Sequence, residues 1–402
     1  MPAALKVALG AVVVVTKQLS SFIVLIFTAL ILNSANAAVL PEERADVLYH
    51  SYNGGGININ GPAILVRKSV GDSVSVSAKH YVDTISSASI DVEVVRLGAS
   101  TYNEERVEES FSIDFLNEKS LMNFSYTNSK ENDFLADTFA VGISQDMFGD
   151  LTTISMGYAH GENDIRRTEG PGMLDPDFLK HSKTDNFNLS LAQVLTKNMI
   201  MSTAFDVATD TGFLNNPYRK YRYINPLDSS LYKQEYERYP ATRTSVAIAV
   251  RAKYFLPYRA AVHAEYRTFQ DSWGIKGNNI EFGYVHPFAT NWIAEAHFRT
   301  YAQTKADFYS DLFPYENAQN FLARDKELST FNNDTIGFGI SYEFANGEGG
   351  YIDKASINFK FDHIQFNYLD FRDATQKSYA TGTEPLYQFS ANIMQLFLSV
   401  WF

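Results

Sequence analysis

Three stretches of this chain carry their charged side chains at positions of one parity, opposite apolar ones. Arg243, Arg251 and Lys253 lie on the opposite face from Val246, Ile248 and Val250. His263, Glu265 and Arg267 oppose Val262, Ala264 and Tyr266, and Glu295, His297 and Arg299 oppose Ala294, Ala296 and Phe298. Lys360 and Asp362 add a fourth set. A two-residue period belongs to a strand. If the apolar face meets lipid, the charged face lines a watery lumen, where rows of Arg attract carboxylate or phosphate groups. Mixed-sign ladders also have a plainer use, neutralising one another and stiffening the wall. The His residues show no spacing that converges on a metal, so neither metal nor cofactor is assigned.

A second group combines aromatic and basic residues. Residues 211–240 gather Tyr218, Tyr221, Tyr223, Tyr232, Tyr236 and Tyr239 among Arg219, Lys220, Arg222, Lys233 and Arg238. Aromatic faces and guanidinium groups together can grip a planar anion. Tyr218, Arg219, Tyr221, Arg222 and Tyr223 are therefore candidates for a loop constriction, with a self-packed cap as the alternative. Residues 305–330 are more acidic, setting Asp307, Asp311, Glu316, Asp325 and Glu327 against Lys305, Arg324 and Lys326. Opposed charge predicts that the two loops dock. The chain has no Gly-x-Ser-x-Gly turn, no Gly-rich phosphate loop before a helix and no His-Glu-x-x-His. The expectation is that it is not an enzyme; a hydrolase at a barrel rim is the alternative, because barrel enzymes need carry none of these motifs.

The elements that must hold these residues follow from composition and period. The 402 residues include no cysteine, which excludes disulfide frameworks, thiolate metal sites and thiol catalysis. With 46 Asp and Glu against 34 Lys and Arg, the net charge of -12 argues against nucleic acid as a partner. Lys6 and Lys17 precede the apolar run from Phe22 to Leu32, and Ala35-Asn36-Ala37 has the small-x-small pattern of a cleavage site. Residues 1–37 read as a secretory signal cut near Ala37, leaving residues 38–402 as one domain. No later segment reaches the roughly 20 continuous apolar residues of a membrane helix, so any membrane crossing must be made by strands.

Period two runs through the mature chain. Phe111, Ile113 and Phe115 alternate with Ser110, Ser112 and Asp114; Phe139, Val141 and Ile143, then Phe187, Leu189 and Leu191, and Ile336, Phe338 and Ile340 repeat the pattern. Tight turns are expected at Gly71-Asp72, Asn117-Glu118-Lys119, Phe148-Gly149-Asp150, Thr196-Lys197-Asn198, Leu256-Pro257-Tyr258, Ala289-Thr290-Asn291 and residues 346–350. Longer loops are expected at 166–183, 211–240 and 305–330. Short turns alternating with long loops match the periplasmic and extracellular ends of an outer-membrane barrel. Seven turns give fourteen strands, and residues 386–402 add another. Even parity requires one more, at residues 45–53, so the reading is an all-β, antiparallel up-and-down transmembrane barrel of sixteen strands, with fourteen as the alternative.

The last strand places Asn392, Met394, Leu396, Leu398, Val400 and Phe402 on one face and ends in Trp401-Phe402. This resembles the recognition strand used by the barrel-assembly machinery, so that machinery and outer-membrane lipid are the expected partners. Export to the outer membrane of a Gram-negative bacterium follows.

Five motifs then carry a family resemblance: Tyr49-His50-x-Tyr52-x-Gly54-Gly55-Gly56, Phe213-Leu214-Asn215-Asn216-Pro217-Tyr218-Arg219, Glu237-Arg238-Tyr239-Pro240-x-Thr242-Arg243, Tyr266-Arg267-x-Phe269-x-Asp271-x-Trp273-Gly274-Ile275, and Arg299-x-Tyr301-x-Gln303-x-x-Ala306-Asp307-Phe308-Tyr309. In these the chain resembles a bacterial domain-of-unknown-function family regarded as an outer-membrane barrel. The resemblance supplies no catalytic residue. Its genes often lie near flavin-transferase and thioredoxin-like genes, which implies a link to envelope redox chemistry.

Arg267 with Asp271, and Arg299 with Asp307, are expected to meet in one rim cluster beneath the Tyr-rich loop, while Tyr49, His50 and Tyr52 begin at the periplasmic side with His50 a buried, satisfied ring. The barrel should be a channel or transporter for small hydrophilic or anionic solutes; the alternative is a non-transporting scaffold or partner of a periplasmic redox system.

Overall fold

The computed structural model describes residues 39–87, 102–170, 173–345 and 351–402. The expected signal sequence and the turn at 346–350 lie outside the described residues.

In chain order the strands are β1 (Arg44–Gly54), β2 (Ile57–Val70), β3 (Val74–Ser87), β4 (Tyr102–Asn117), β5 (Ser120–Lys130) and β6 (Phe134–Met147). There follow β7 (Thr152–Gly170), β8 (Met173–Thr196), β9 (Met199–Gly212), β10 (Lys220–Ile224), β11 (Tyr232–Tyr236) and β12 (Thr242–Phe255). The last six are β13 (Ala261–Asp271), β14 (Lys276–Phe288), β15 (Trp292–Gln303), β16 (Phe331–Ala345), β17 (Lys354–Arg372) and β18 (Leu386–Trp401). All except β10 and β11 join one closed antiparallel barrel of sixteen strands, sealed where β1 pairs with both β2 and β18. Closure leaves no strand edge to be desolvated in hydrocarbon.

The alternation sorts side chains as its period demands. Phe111, Phe124, Phe139, Phe187, Ile248, Phe282, Phe298, Ile336 and Leu396 all point out and stay exposed. Near the loop end, outward Tyr rings reach one step further up to a polar neighbour: Tyr126 donates to Asp137 at 2.6 Å, Tyr158 to Asp185 at 2.6 Å and Tyr266 to Asn278 at 2.8 Å. Tyr254, Tyr258, Phe288 and Trp292 form an exposed belt at the short-turn end. An apolar band between two aromatic girdles is the outer surface that a bilayer selects.

Two expectations need correction. Residues 166–183 are not a loop: β7 and β8 continue their ladder from Arg166↔Leu179 to Gly170↔Met173 with small register shifts, and Arg167 pairs with Asp175 across the hairpin. Ladder pairing there satisfies backbone groups that a loop would leave to water. Tyr49, His50 and Tyr52 are not at the short-turn end either, since β1 starts there at Arg44 and climbs to Gly54 beside the loops.

Candidate functional site

The charged side chains of the sequence do line the lumen, in level rows across neighbouring strands. One row runs Lys253, His263, Gly283, His297, Gly337, Asp362; the next runs Arg251, Glu265, Glu281, Arg299, Thr335. Arg251 pairs with Glu265, and Lys360 reaches Glu295 at 2.6 Å. Glycine on the intervening strand makes the longer reaches feasible. His297 on β15 approaches Asp362 on β17 to 3.1 Å over Gly337 of β16. A Cβ on Gly337 would overlap both the His297 ring and the Asp362 carboxylate, so only a bare backbone permits this bridge.

The expected rim cluster assembles differently. The Asp271 side chain is fully buried and is taken by Arg243, whose Nε donates to it at 2.8 Å. Arg243 also stacks over the Trp273 ring at 4.6 Å. The other oxygen of Asp271 accepts the backbone N–H groups of Trp273 at 3.0 Å and Ile275 at 2.9 Å, pinning the turn between β13 and β14. Asp307 arrives at the same turn through its backbone N–H, bonded to the Trp273 carbonyl at 2.8 Å. Its carboxylate occupies the place a side chain at Gly274 would need, and Gly274 has φ +91°. The two acids therefore meet, but without Arg267 and Arg299. Those lie two and three rows deeper, and both, like Arg243 above them, act electrostatically on the Tyr301 phenol. Residues at i and i+4 of a strand share a face but sit about 13 Å apart along it, too far for the pairing expected of Arg267 and Asp271.

Above this wall the loops form a cap. The hairpin β10–β11 joins residues 304–330 through the parallel bridge Tyr223↔Phe313 and the antiparallel bridge Arg238↔Leu322. Opposed charges dock them: Arg222 binds Asp311 at 2.5 Å, Arg219 pairs with Asp325, and Tyr223 donates to Glu316 at 3.1 Å. Arg222 also binds Glu384, at 2.6 Å, on the connection between β17 and β18. Burial opposes the Arg222 charge, but Glu384 and Asp311 outweigh it and hold its pKa above the ordinary value. Tyr218, Arg219, Tyr221, Arg222 and Tyr223 are all at most 3% exposed. Of these five only Tyr218 lines the interior cavity; its hydroxyl accepts the Thr168 backbone N–H at 2.9 Å. The other four are structural parts of the cap, with no face free to grip a solute.

Beneath the cap lies a cavity of about 850 Å³ with three kinds of wall. The β12–β15 side presents Arg243, Arg251, Arg267, Arg299 and Tyr301 with Glu265 and Glu281. The opposite β4–β6 side presents Glu108, Glu131 and Asp133 with Arg106. Between them Tyr52, Ile364 and Ile393 belong to an apolar cluster that covers the inner face of β1–β3 and β17–β18. His50, in the same neighbourhood, is 1% exposed and held by Asp83 at 2.6 Å and Tyr81 at 3.1 Å.

Sequence reasoning misses the β4–β6 acids. In Glu104-Glu105-Arg106-Val107-Glu108-Glu109 charges fall on both faces and mask the alternation. A usable signal exists for the ladder, namely Gly337-x-Gly339 in phase with the charged positions of β15 and β17. Among the described residues, no group of three or more His, Asp or Glu could hold a metal ion. At the short-turn end Trp401 pairs with Arg44 and Lys354 to end the last strand, followed by Phe402.

Among solved structures, the chain is similar to OmpTdeltaL8, an outer membrane protein of Vibrio cholerae, with 9% identity over 89% of this chain and 98% of that one, TM-score 0.42. It is similar to the siderophore receptor PirA from Acinetobacter baumannii at 9% identity, covering 90% of this chain but 60% of the receptor, TM-score 0.45. A bacterial polysaccharide outer membrane secretin gives 7% identity over 90% of this chain and 99% of that one, TM-score 0.46. Comparison with curated proteins finds no match. A family model described as "Protein of unknown function (DUF3570)" matches residues 93–361, and the chain belongs to that family.

Proposed function

We propose that the protein is an outer-membrane barrel that admits small hydrophilic solutes, anionic ones included, to its interior cavity and passes them when the cap moves. The observation that carries this reading is the cavity of about 850 Å³, large enough for a small metabolite, whose largely apolar lining is set with charged groups that include Arg267 and Arg299. The apolar outer band and its girdles support the membrane setting. The reading assigns no catalytic residue. One observation favours a second reading, a non-transporting scaffold or partner of periplasmic proteins: the cap is dry and cross-linked through Arg222 and Arg324, both of which contact Asp311.

Planar-bilayer recording separates the two. Wild type should give low or flickering conductance, and Arg222→Ala, which releases the β10–β11 hairpin, should raise it several-fold. Silence from both proteins at every voltage, with heat-modifiable barrels confirmed on gels, would sink the conduit and leave the scaffold.

A further inference from the structure

One rung of the barrel ladder changes character along its length. Register places Arg267 of β13 beside Asn279 of β14, then Tyr301 of β15, Asn333 of β16, Phe366 of β17 and Phe389 of β18. All but Phe389 line the cavity. The first four carry hydrogen-bond donors and the last two are apolar, so a polar wall runs directly into a greasy one.

At the polar end, Arg243 and Arg251 are taken by Asp271 and Glu265. Arg267 is partly exposed to the cavity, and no described residue accepts a hydrogen bond from its guanidinium. One lumen-facing position below it, Glu265 is held by Arg251, and Glu281 opposite it by His263 at 3.3 Å. Asp206 on β9, two strands away, feels the Arg267 charge without a hydrogen bond. The Oδ1 atoms of Asn279 and Asn333 are buried without hydrogen-bond partners, so each amide is free to turn its NH2 group to an incoming oxygen.

At the apolar end, Phe366 stacks on Phe389 with centroids 4.5 Å apart and packs against the cluster that holds Tyr52, Ile364 and Ile393. Phe331 bridges it to the polar end, its ring 6.3 Å from Phe366 and 5.8 Å from Tyr301. In the ring of strands Tyr301 is two steps from Arg267 and Phe366 four, roughly 10 and 19 Å along the wall at about 4.8 Å per step. An anionic head at Arg267 therefore lays its body over Tyr301 and then Phe366. A compact polyanion leaves the apolar wall wet, and a second carboxylate at the far end of a chain is driven against Phe366. Resting on the reading of this cavity as the solute site, we propose that its ligand class is an amphipathic monoanion: one carboxylate, held by Arg267 and Asn279, on an apolar chain lying along Tyr301, Phe366 and the wall of Ile364 and Ile393.

Octanoate, butyrate, suberate and octanol test this, titrated calorimetrically into the full-length protein in lipid nanodiscs with the heat of empty nanodiscs subtracted. Each buried methylene contributes about fourfold in affinity, so burial of only part of the longer chain makes octanoate more than about tenfold tighter than butyrate. Suberate, with its second carboxylate, should lose that gain. Arg267→Gln should weaken octanoate about tenfold, the worth of a charge-assisted hydrogen bond, and leave octanol unchanged. Phe366→Ala should weaken octanoate and octanol alike and spare butyrate, with heat-modifiable migration unchanged; should that variant not fold, the wild-type ratio of octanoate to butyrate decides. Octanoate no tighter than butyrate, suberate as tight as octanoate, equal octanoate binding by wild type and Arg267→Gln, or no binding of any probe would each overturn the proposal. Failure here is distinct from failure of the conduit: a conducting barrel without this preference loses only the ligand class, whereas a silent barrel with it loses only the conduit.

Discussion

The cap and the barrel wall are built from the same chemistry, Arg and Lys against Asp and Glu, yet they use it under opposite conditions. In the cap, Arg222 is 0% exposed and joins segments 89 and 162 residues apart, through Asp311 and Glu384. In the wall, the pairs lie between adjacent or next-but-one strands and keep some exposure, as His297 does at 23%. Removing water strengthens a completed ion pair and makes a broken one very costly. The cap should therefore behave as one all-or-none unit. The wall should behave as a set of weak, replaceable contacts around a hydrated space.

The largest effect follows from breaking the cap. Arg222→Ala leaves Glu384 buried without its cation and Asp311 with Arg324 alone, a loss of about 3–5 kcal/mol by analogy with other broken buried pairs. That exceeds what a local opening needs, so the hairpin of residues 220–236 should detach while the sixteen-stranded ladder persists. Limited proteolysis in whole cells should cleave this hairpin more than about a hundredfold faster than in wild type, with heat-modifiable migration unchanged. Equal cleavage rates would mean that the cap is held by its apolar cluster of Tyr221, Tyr223, Phe313 and Leu322 instead.

The same contrast governs what can be read from sequence. Strand number and the identity of lumen-facing charges are legible because period two is local: Arg251 and Ile248 declare opposite faces within one strand. Docking of the two loops is legible as a sum of charges. The partner of Arg222 on the third loop is not, because Glu384 lies 162 residues away in a stretch with no charge pattern of its own. Pairing height fails as well: Arg267 and Asp271 share a face, but register alone shows that Arg243 reaches Asp271 first. The acidic wall is hidden because Glu131 sits in a turn, where alternation gives no inside or outside.

A second prediction concerns that turn, which lies between the cap and the wall. The folded-state pKa of Glu131, about 7, is above its ordinary value of 4.5. The sign is therefore the reverse of a salt-bridged carboxylate: the native state holds the proton more tightly than the unfolded chain does. Below the unfolded value both states are protonated and the residue is neutral in its effect. As pH rises past it, ionisation in the folded state becomes a growing penalty that is complete above the folded pKa. Glu131→Gln should thus stabilise the protein at pH 8, by at most about 3 kcal/mol for the full shift, and by almost nothing at pH 4. Urea unfolding in lipid vesicles at the two pH values measures this. A gain of equal size at both would show that Glu131 is not an acid whose ionisation burial opposes.

The smallest expected effect lies in the wall and completes the comparison. His297 and Asp362 approach to 3.1 Å, but Asp362 Oδ1 lacks a well-formed hydrogen bond, so the contact is one of proximity more than of alignment. His297 also belongs to a row with Lys253, His263 and Asp362, in which neighbours and lumen water can replace it. His297→Ala should therefore lower stability by less than about 1 kcal/mol, the range of ion pairs in contact with solvent. The substitution also removes the ring that closely abuts Gly337, so no packing strain is added. A loss approaching that of Arg222→Ala would mean that the lower lumen is as dry as the cap. In that case the charged rows would be a sealed structural core, and a solute path along β12–β17 would no longer be available.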